Sequence, residues 1–206
     1  MEWFSLLLST FGLLFALIDP PGYIPLFLTL TAGDSEDGRR RILKRACIAA
    51  FVFLATFTFV GNLLLKFFAI SIPALQISGG LILLVIGFEM LNMLPRGEKT
   101  TKTEQNEAST KEDVSIIPLA IPMLAGPASI VAVIVLASRE ASLSNYAAIL
   151  VSIAITLGIT YAMLQFAQRI LHRIGVTGLR VLTRVMGLLL CAMAVQFVID
   201  GYLAVK

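Results

Sequence analysis

The chain has 206 residues, of which 58% are hydrophobic and 14% charged, with a net charge of +3 and a mean hydropathy of +0.90. That leaves too little polar surface for a soluble domain of this size, and several segments approach the roughly 20 apolar residues a helix needs to cross a bilayer. The basic residues sit in short loops between apolar runs, which fits membrane orientation and argues against a nucleic-acid partner.

The first span, about 3–31, begins after Glu2 with no basic leader or small-residue cleavage pattern, so it reads as a retained helix. It is interrupted by Asp19-Pro20-Pro21-Gly22-Tyr23-Ile24-Pro25. Each proline removes an amide donor and clashes with the preceding turn, Gly22 loosens the backbone, and Asp19 puts a carboxylate at hydrocarbon depth. Non-helical backbone survives there only where protein buries it or a cavity wets it, and an acid beside it points to function. A plain proline kink capped by Asp19 is the alternative.

A polar loop at 33–38 precedes Arg39, Arg40, Arg41, Lys44 and Arg45, which open a second span at about 46–69 with a mild break expected at Gly61-Asn62. The third span, about 74–94, starts with the small residues Ser78-Gly79-Gly80, which admit a close neighbour. Glu89 near its inner end is a proton-site candidate or an ion-pair partner of Arg96. A linker at 95–113, dense in Lys, Thr, Glu and Ser, reads as mobile.

The fourth span, about 114–138, carries a second interruption at Met123-Leu124-Ala125-Gly126-Pro127-Ala128-Ser129. The fifth runs over about 146–170, a loop follows with Arg169, His172, Arg173 and Arg180, and the sixth occupies about 185–205. In this six-span arrangement the three basic loops share one side. By the positive-inside rule they are cytoplasmic and both termini are outside.

Shifting the sequence by 107 positions aligns Pro20 with Pro127, Leu64 with Leu171, Lys66 with Arg173, Gly80 with Gly187 and Glu89 with Gln196. The chain then reads as one all-α integral membrane domain, 1–206, made of two three-helix repeats, about 1–94 and 114–206. Three spans per unit is odd, so the repeats are inverted, with the first and fourth helices broken, which is a transporter pattern. The second half-helix at each break should offer free amides and a positive dipole end, near Gly22, Tyr23 and Ile24 and near Ala128, Ser129 and Ile130. Those ends suit a carboxylate, while Asp19 and nearby carbonyls suit an ammonium group, so a zwitterionic amino acid fits. The expected binding set is Asp19, Pro20, Gly22, Tyr23, Ile24, Ala125, Gly126, Ala128 and Ser129, with Asp19 and Glu89 as sites for a coupling Na⁺ or H⁺.

The polar span residues Thr29, Thr56, Thr58, Asn62, Ser78, Thr156, Thr160, Gln165 and Gln196 are read as joining helices by hydrogen bonds rather than touching substrate. Asp200 reads as a solvated helix end and His172 as interfacial. Cys47 and Cys191, both within apolar segments, read as buried thiols. No phosphate loop, nucleophile elbow or metal-ligand spacing occurs, so neither an enzyme nor a bound cofactor is expected.

Ile18-Asp19-Pro20-Pro21-Gly22-Tyr23-Ile24-Pro25, Ile77-Ser78-Gly79-Gly80, the run from Ile117-Pro118 to Gly126-Pro127, and Arg184-Val185-Met186-Gly187-Leu188 through Asp200-Gly201 together resemble the MarC family. The resemblance spans nearly the whole chain and implies a six-span inner-membrane fold of prokaryotes. The family's name reflects an association with multiple antibiotic resistance. Some archaeal members are described as transporters of small neutral amino acids such as glycine and alanine. Pro21 and Tyr23 are positions where members are expected to vary, and no catalytic residues are carried over. Three functions remain open: a secondary transporter of small zwitterions in contact with membrane lipid and able to form homo-oligomers, an efflux protein for drugs or metabolites, and a scaffold or regulatory subunit.

Overall fold

The computed structural model describes residues 2–92, 124–139 and 142–205. Within them the chain forms helices α1 (Glu2–Ile18), α2 (Pro20–Leu30), α3 (Glu36–Phe67), α4 (Ile72–Met90), α5 (Pro127–Arg139), α6 (Leu143–Gln165) and α7 (Ala167–Leu203). Five stretches are long and apolar enough to cross a membrane: Trp3–Leu30, Glu36–Phe67, Ile72–Met90, Leu143–Gln165 and Ala167–Leu203. Pro127–Ser138 is a shorter apolar helix. The expected linker, Arg96 and the first half of the fourth span lie outside the described residues.

Two helix boundaries depart from the hydropathy reading. The basic cluster expected before the second span is already helical, because α3 starts at Glu36 under a Ser35 cap whose hydroxyl accepts the Gly38 amide at 3.2 Å. Glu36 and Asp37 in the first turn favour the positive end of the dipole. At about 48 Å, α3 outruns the roughly 30 Å hydrocarbon core, so its basic first turns stand beyond it. The second departure is the basic loop expected between the fifth and sixth spans, which is helical too. α7 has 37 residues and turns only at Gly175, whose φ of 70° is a conformation other residues rarely take.

The expected interruption at Gly61-Asn62 is absent, and α3 runs through it. The side chain of Ile134 lies against Gly61, and Ser138 Oγ donates to Asn62 Oδ1 at 2.6 Å, so both residues serve the α3–α5 contact.

The core follows from which helices are apolar all round. In α5, residues 132–137 are all buried, the mark of a central helix. Residues 13–18 of α1 are mostly buried beside it, and Leu14, Ile18 and Ile24 join Leu124, Ala125 and Ala128 in one apolar cluster. Around this centre, large apolar residues such as Leu63, Val52, Leu188 and Val195 face outward, as a lipid-facing surface requires.

The tightest seam joins α4 to α7. A Cβ on Gly80 would stand 2.7 Å from the Ala194 carbonyl oxygen, and one on Gly187 would stand 2.7 Å from Met90 Cβ and 3.1 Å from the Gly87 carbonyl oxygen. The backbones touch because these positions carry no side chain.

The ends of the bundle are tied by long-range contacts. At one end Trp3 Nε1 donates to the Ser144 carbonyl at 3.3 Å. At the other, Arg39 Nε donates to the Thr31 carbonyl at 2.9 Å and Arg40 Nε to the Tyr161 hydroxyl at 3.3 Å.

Candidate functional site

Local chemistry dictates the junction of α1 and α2. Pro20 and Pro21 cannot donate amides, so the α1 ladder cannot continue through them, while their fixed φ suits the first turn of a new helix. The chain resolves this with a single residue: Asp19 takes a left-handed conformation, φ 42° and ψ 60°, and α2 begins at once. The interruption is therefore narrower than the seven residues expected. Residues 20–25, Pro25 included, are helical: Pro20 and Pro21 at the first positions cost the helix no hydrogen bond, while Pro25, inside it, removes only the bond its amide would have made to the Pro21 carbonyl.

The carboxylate of Asp19 folds back over the start of α2. It occupies the space where a Cβ on residue 22 would stand, and Thr183 Oγ1 of α7 is 3.2 Å from that same point. Gly22 leaves that space open: a side chain there would displace the carboxylate. Asp19 is only 6% exposed and Thr183 8%, so a carboxylate and a hydroxyl lie close together inside the bundle.

The expected free amides are fewer than sequence suggested. Pro20 and Pro21 have none, and the Gly22 amide already donates to the Asp19 carbonyl at 3.0 Å. Of the expected binding residues on this side, Pro20 is buried and Ile24 is fully buried core, while Gly22 and Tyr23 are half-buried. Ile24 serves packing.

On the other side, α5 starts at Pro127. Ala125, Ala128 and Ser129 are buried and Gly126 is half-buried. The Ile130 amide donates to the Gly126 carbonyl at 3.1 Å, closing the first turn. Because Pro127 lacks an amide, Ala128 and Ser129 supply the first donors of this helix. What precedes Leu124 lies outside the described residues.

The span hydroxyls are mostly absorbed by their own helices rather than crossing to others as expected. Thr56, Thr58, Thr156 and Thr160 each donate to the carbonyl one turn back at 2.8 Å, and Thr29 does so at 3.0 Å. Of the expected residues Asn62 does join two helices, accepting from Ser138, and further cross-helix bonds run from Ser152 to the Leu7 carbonyl and from Asn145 to the Leu136 carbonyl. Gln196 donates to Asp200 at 2.6 Å along α7. Glu89 sits half-buried in the last turn of α4.

Sequence reasoning passed over Thr183, which lies at the junction, and Gln76, a buried polar residue of α4 that is 6% exposed. The two stand 107 positions apart, the offset that also separates Pro20 from Pro127.

The profile described as MarC family integral membrane protein matches residues 4–205. A UPF0056 membrane protein of Methanocaldococcus jannaschii is 36% identical over 204 residues, covering 98% of this chain and 96% of that protein. The UPF0056 membrane protein YvbG of Bacillus subtilis is 35% identical over 199 residues, covering 96% and 94%. YhcE of Escherichia coli, of the same group, is 32% identical over 188 residues, covering 91% and 87%. No solved structure matches. With five apolar stretches among the described residues long enough to span a bilayer and a family match over nearly its entire length, the chain is a multi-pass integral membrane protein of the MarC family.

Proposed function

We propose that the chain is a secondary transporter of a small zwitterionic amino acid, glycine or alanine in size, with a site built from the α1–α2 junction and the start of α5. The observation that carries this reading is Asp19, a carboxylate held 6% exposed within an apolar span at a left-handed residue between two helices. An acid kept inside an apolar span is rare, and such residues mark substrate or ion paths. The two ends divide the work. Asp19 and Thr183 offer oxygens to an ammonium group. The amides of Ala128 and Ser129, at the positive end of α5, suit a carboxylate better than the α2 end, where the prolines and Gly22 leave few donors.

An inverted pair of three-helix units supplies the symmetry such a site needs. Its support is a set of coincidences at one offset of 107. Helices begin at Pro20 and Pro127, and again at Glu36 and Leu143. Ser35 and Ser142 cap the second pair, accepting the Gly38 amide at 3.2 Å and the Asn145 amide at 3.1 Å. The approach of Gly80 to the Ala194 carbonyl is mirrored by that of Gly187 to the Gly87 carbonyl. Each partner of the first contact maps onto a partner of the second. The α4–α7 seam then lies on the axis between the units, and rocking of one unit against the other gives alternating access. Asp19, or Glu89, would carry the coupling H⁺ or Na⁺, and the basic end of the bundle faces the cytoplasm.

The test is flux. Protein reconstituted in liposomes should move labelled glycine or alanine under a Na⁺ or H⁺ gradient, and Asp19→Asn or Gly126→Leu should abolish it while gel-filtration behaviour is kept. Flux unchanged by both substitutions removes the site, and absence of flux for any amino acid removes the transport reading in favour of efflux or a scaffold.

A further inference from the structure

A groove of about 950 Å³ lies between α3 and α6 at the basic end of the bundle, away from the Asp19 junction. That volume is at the upper end of what accommodates a small organic ligand. Its mouth carries Arg40, Arg41 and Lys44 against one carboxylate, Asp37, with Tyr161 opposite. Further in, the lining is apolar: Ile48 and Phe51 from α3, Ala154, Leu157 and Gly158 from α6.

The groove exists because small residues are used here in the opposite way from the α4–α7 seam. There, glycines bring two backbones together. Here Ala154 and Gly158, one turn apart, leave a trough, and a Cβ added at Gly158 would meet nothing within 4 Å. Ile48 is 53% exposed at its edge, so the trough opens sideways onto the lipid-facing surface. Arg40 is drawn across the mouth by its Nε bond to the Tyr161 hydroxyl at 3.3 Å. That bond uses one of five guanidinium N–H donors.

Cations at one end and an open hydrocarbon trough behind them match an amphiphile with an anionic head. We propose that this groove binds one anionic phospholipid, its phosphate on Arg40, Arg41 and Lys44 and an acyl chain along Ala154 and Gly158. Basic pockets between membrane helices recognise such headgroups through charge, and the trough adds chain contact that diffuse surface charge lacks. The site is independent of the transport reading, since no residue of it belongs to the Asp19 junction.

The experiment is native mass spectrometry of the purified full-length protein titrated with dioleoyl phosphatidylglycerol or dioleoyl phosphatidylcholine. One phosphatidylglycerol should remain bound at least about tenfold more tightly than phosphatidylcholine. Replacing all three cations by glutamine should weaken it on the order of a hundredfold, at about fivefold per charge. Gly158→Phe, which fills open space and leaves every charge in place, should weaken the same lipid about tenfold or more. Equal binding of the two lipids would overturn the proposal, as would unchanged phosphatidylglycerol binding in Gly158→Phe. So would a lipid-free dimer that Gly158→Phe dissociates, which would make the groove an interface between two copies.

Discussion

Replacing Gly80 or Gly187 by alanine tests the architecture directly. The added methyl at position 80 would stand 2.7 Å from the Ala194 carbonyl oxygen and 3.1 Å from the Val198 amide nitrogen. At position 187 it would stand 2.7 Å from Met90 Cβ and 3.4 Å from the Leu91 amide nitrogen. Most of these neighbours are backbone, so relief requires α4 and α7 to separate along their length. Such overpacking costs about 1–3 kcal/mol, against which alanine regains up to about 1 kcal/mol of helix propensity. The net is a loss of up to about 2 kcal/mol for each substitution, a fall of up to roughly 8 °C in a chain this size, and about 1–3 kcal/mol relative to a glycine-to-alanine change that meets no neighbour. Gly158→Ala is the matched control, because its methyl meets nothing within 4 Å and should leave the midpoint equal or higher. The assay is thermal unfolding in one detergent, followed by the loss of the monodisperse gel-filtration peak. If Gly80→Ala and Gly187→Ala melt with Gly158→Ala, the backbones are not in contact and the seam is misplaced. If only one of the two is destabilised, the equivalence of the two halves fails.

Three further outcomes follow from single contacts. Gly22→Ala should change stability by no more than about 1 kcal/mol, since only the Asp19 side chain must move, yet lose liposome flux; retained flux would separate the carboxylate position from function. Ser35→Ala and Ser142→Ala each remove a helix cap and should each cost about 1 kcal/mol in the same melt, with additive effects because the two caps stand at opposite ends of the bundle. A double-mutant cycle of Asn62→Ala with Ser138→Ala should give a coupling of about 0.6 kcal/mol, typical of hydrogen bonds between membrane helices, and a zero coupling would deny the α3–α5 contact.

The lengths of apolar runs determined that this chain spans a membrane, and roughly where, because hydrocarbon thickness leaves helices little choice. Proline chemistry likewise marked the Asp19 junction, since no helix ladder passes two consecutive prolines unbroken. Beyond the hydrocarbon that constraint lapses. The start of α3 was decided by the Ser35 cap, and the turn in α7 by Gly175 in place of the loop that its arginines suggested.

The candidate site divides along the same line. Asp19 and Gly22 were legible because a carboxylate and a glycine are out of place in an apolar span. That Gly22 exists to admit the Asp19 carboxylate, that Thr183 reaches it from α7, and that Ile24 packs in the core depend on which helix lies opposite. Glycine shows the limit most plainly. Gly80 and Gly158 are the same residue in similar apolar surroundings, yet one closes a helix seam and the other opens a groove. A residue without a side chain only permits approach; its neighbours across the bundle determine whether approach occurs.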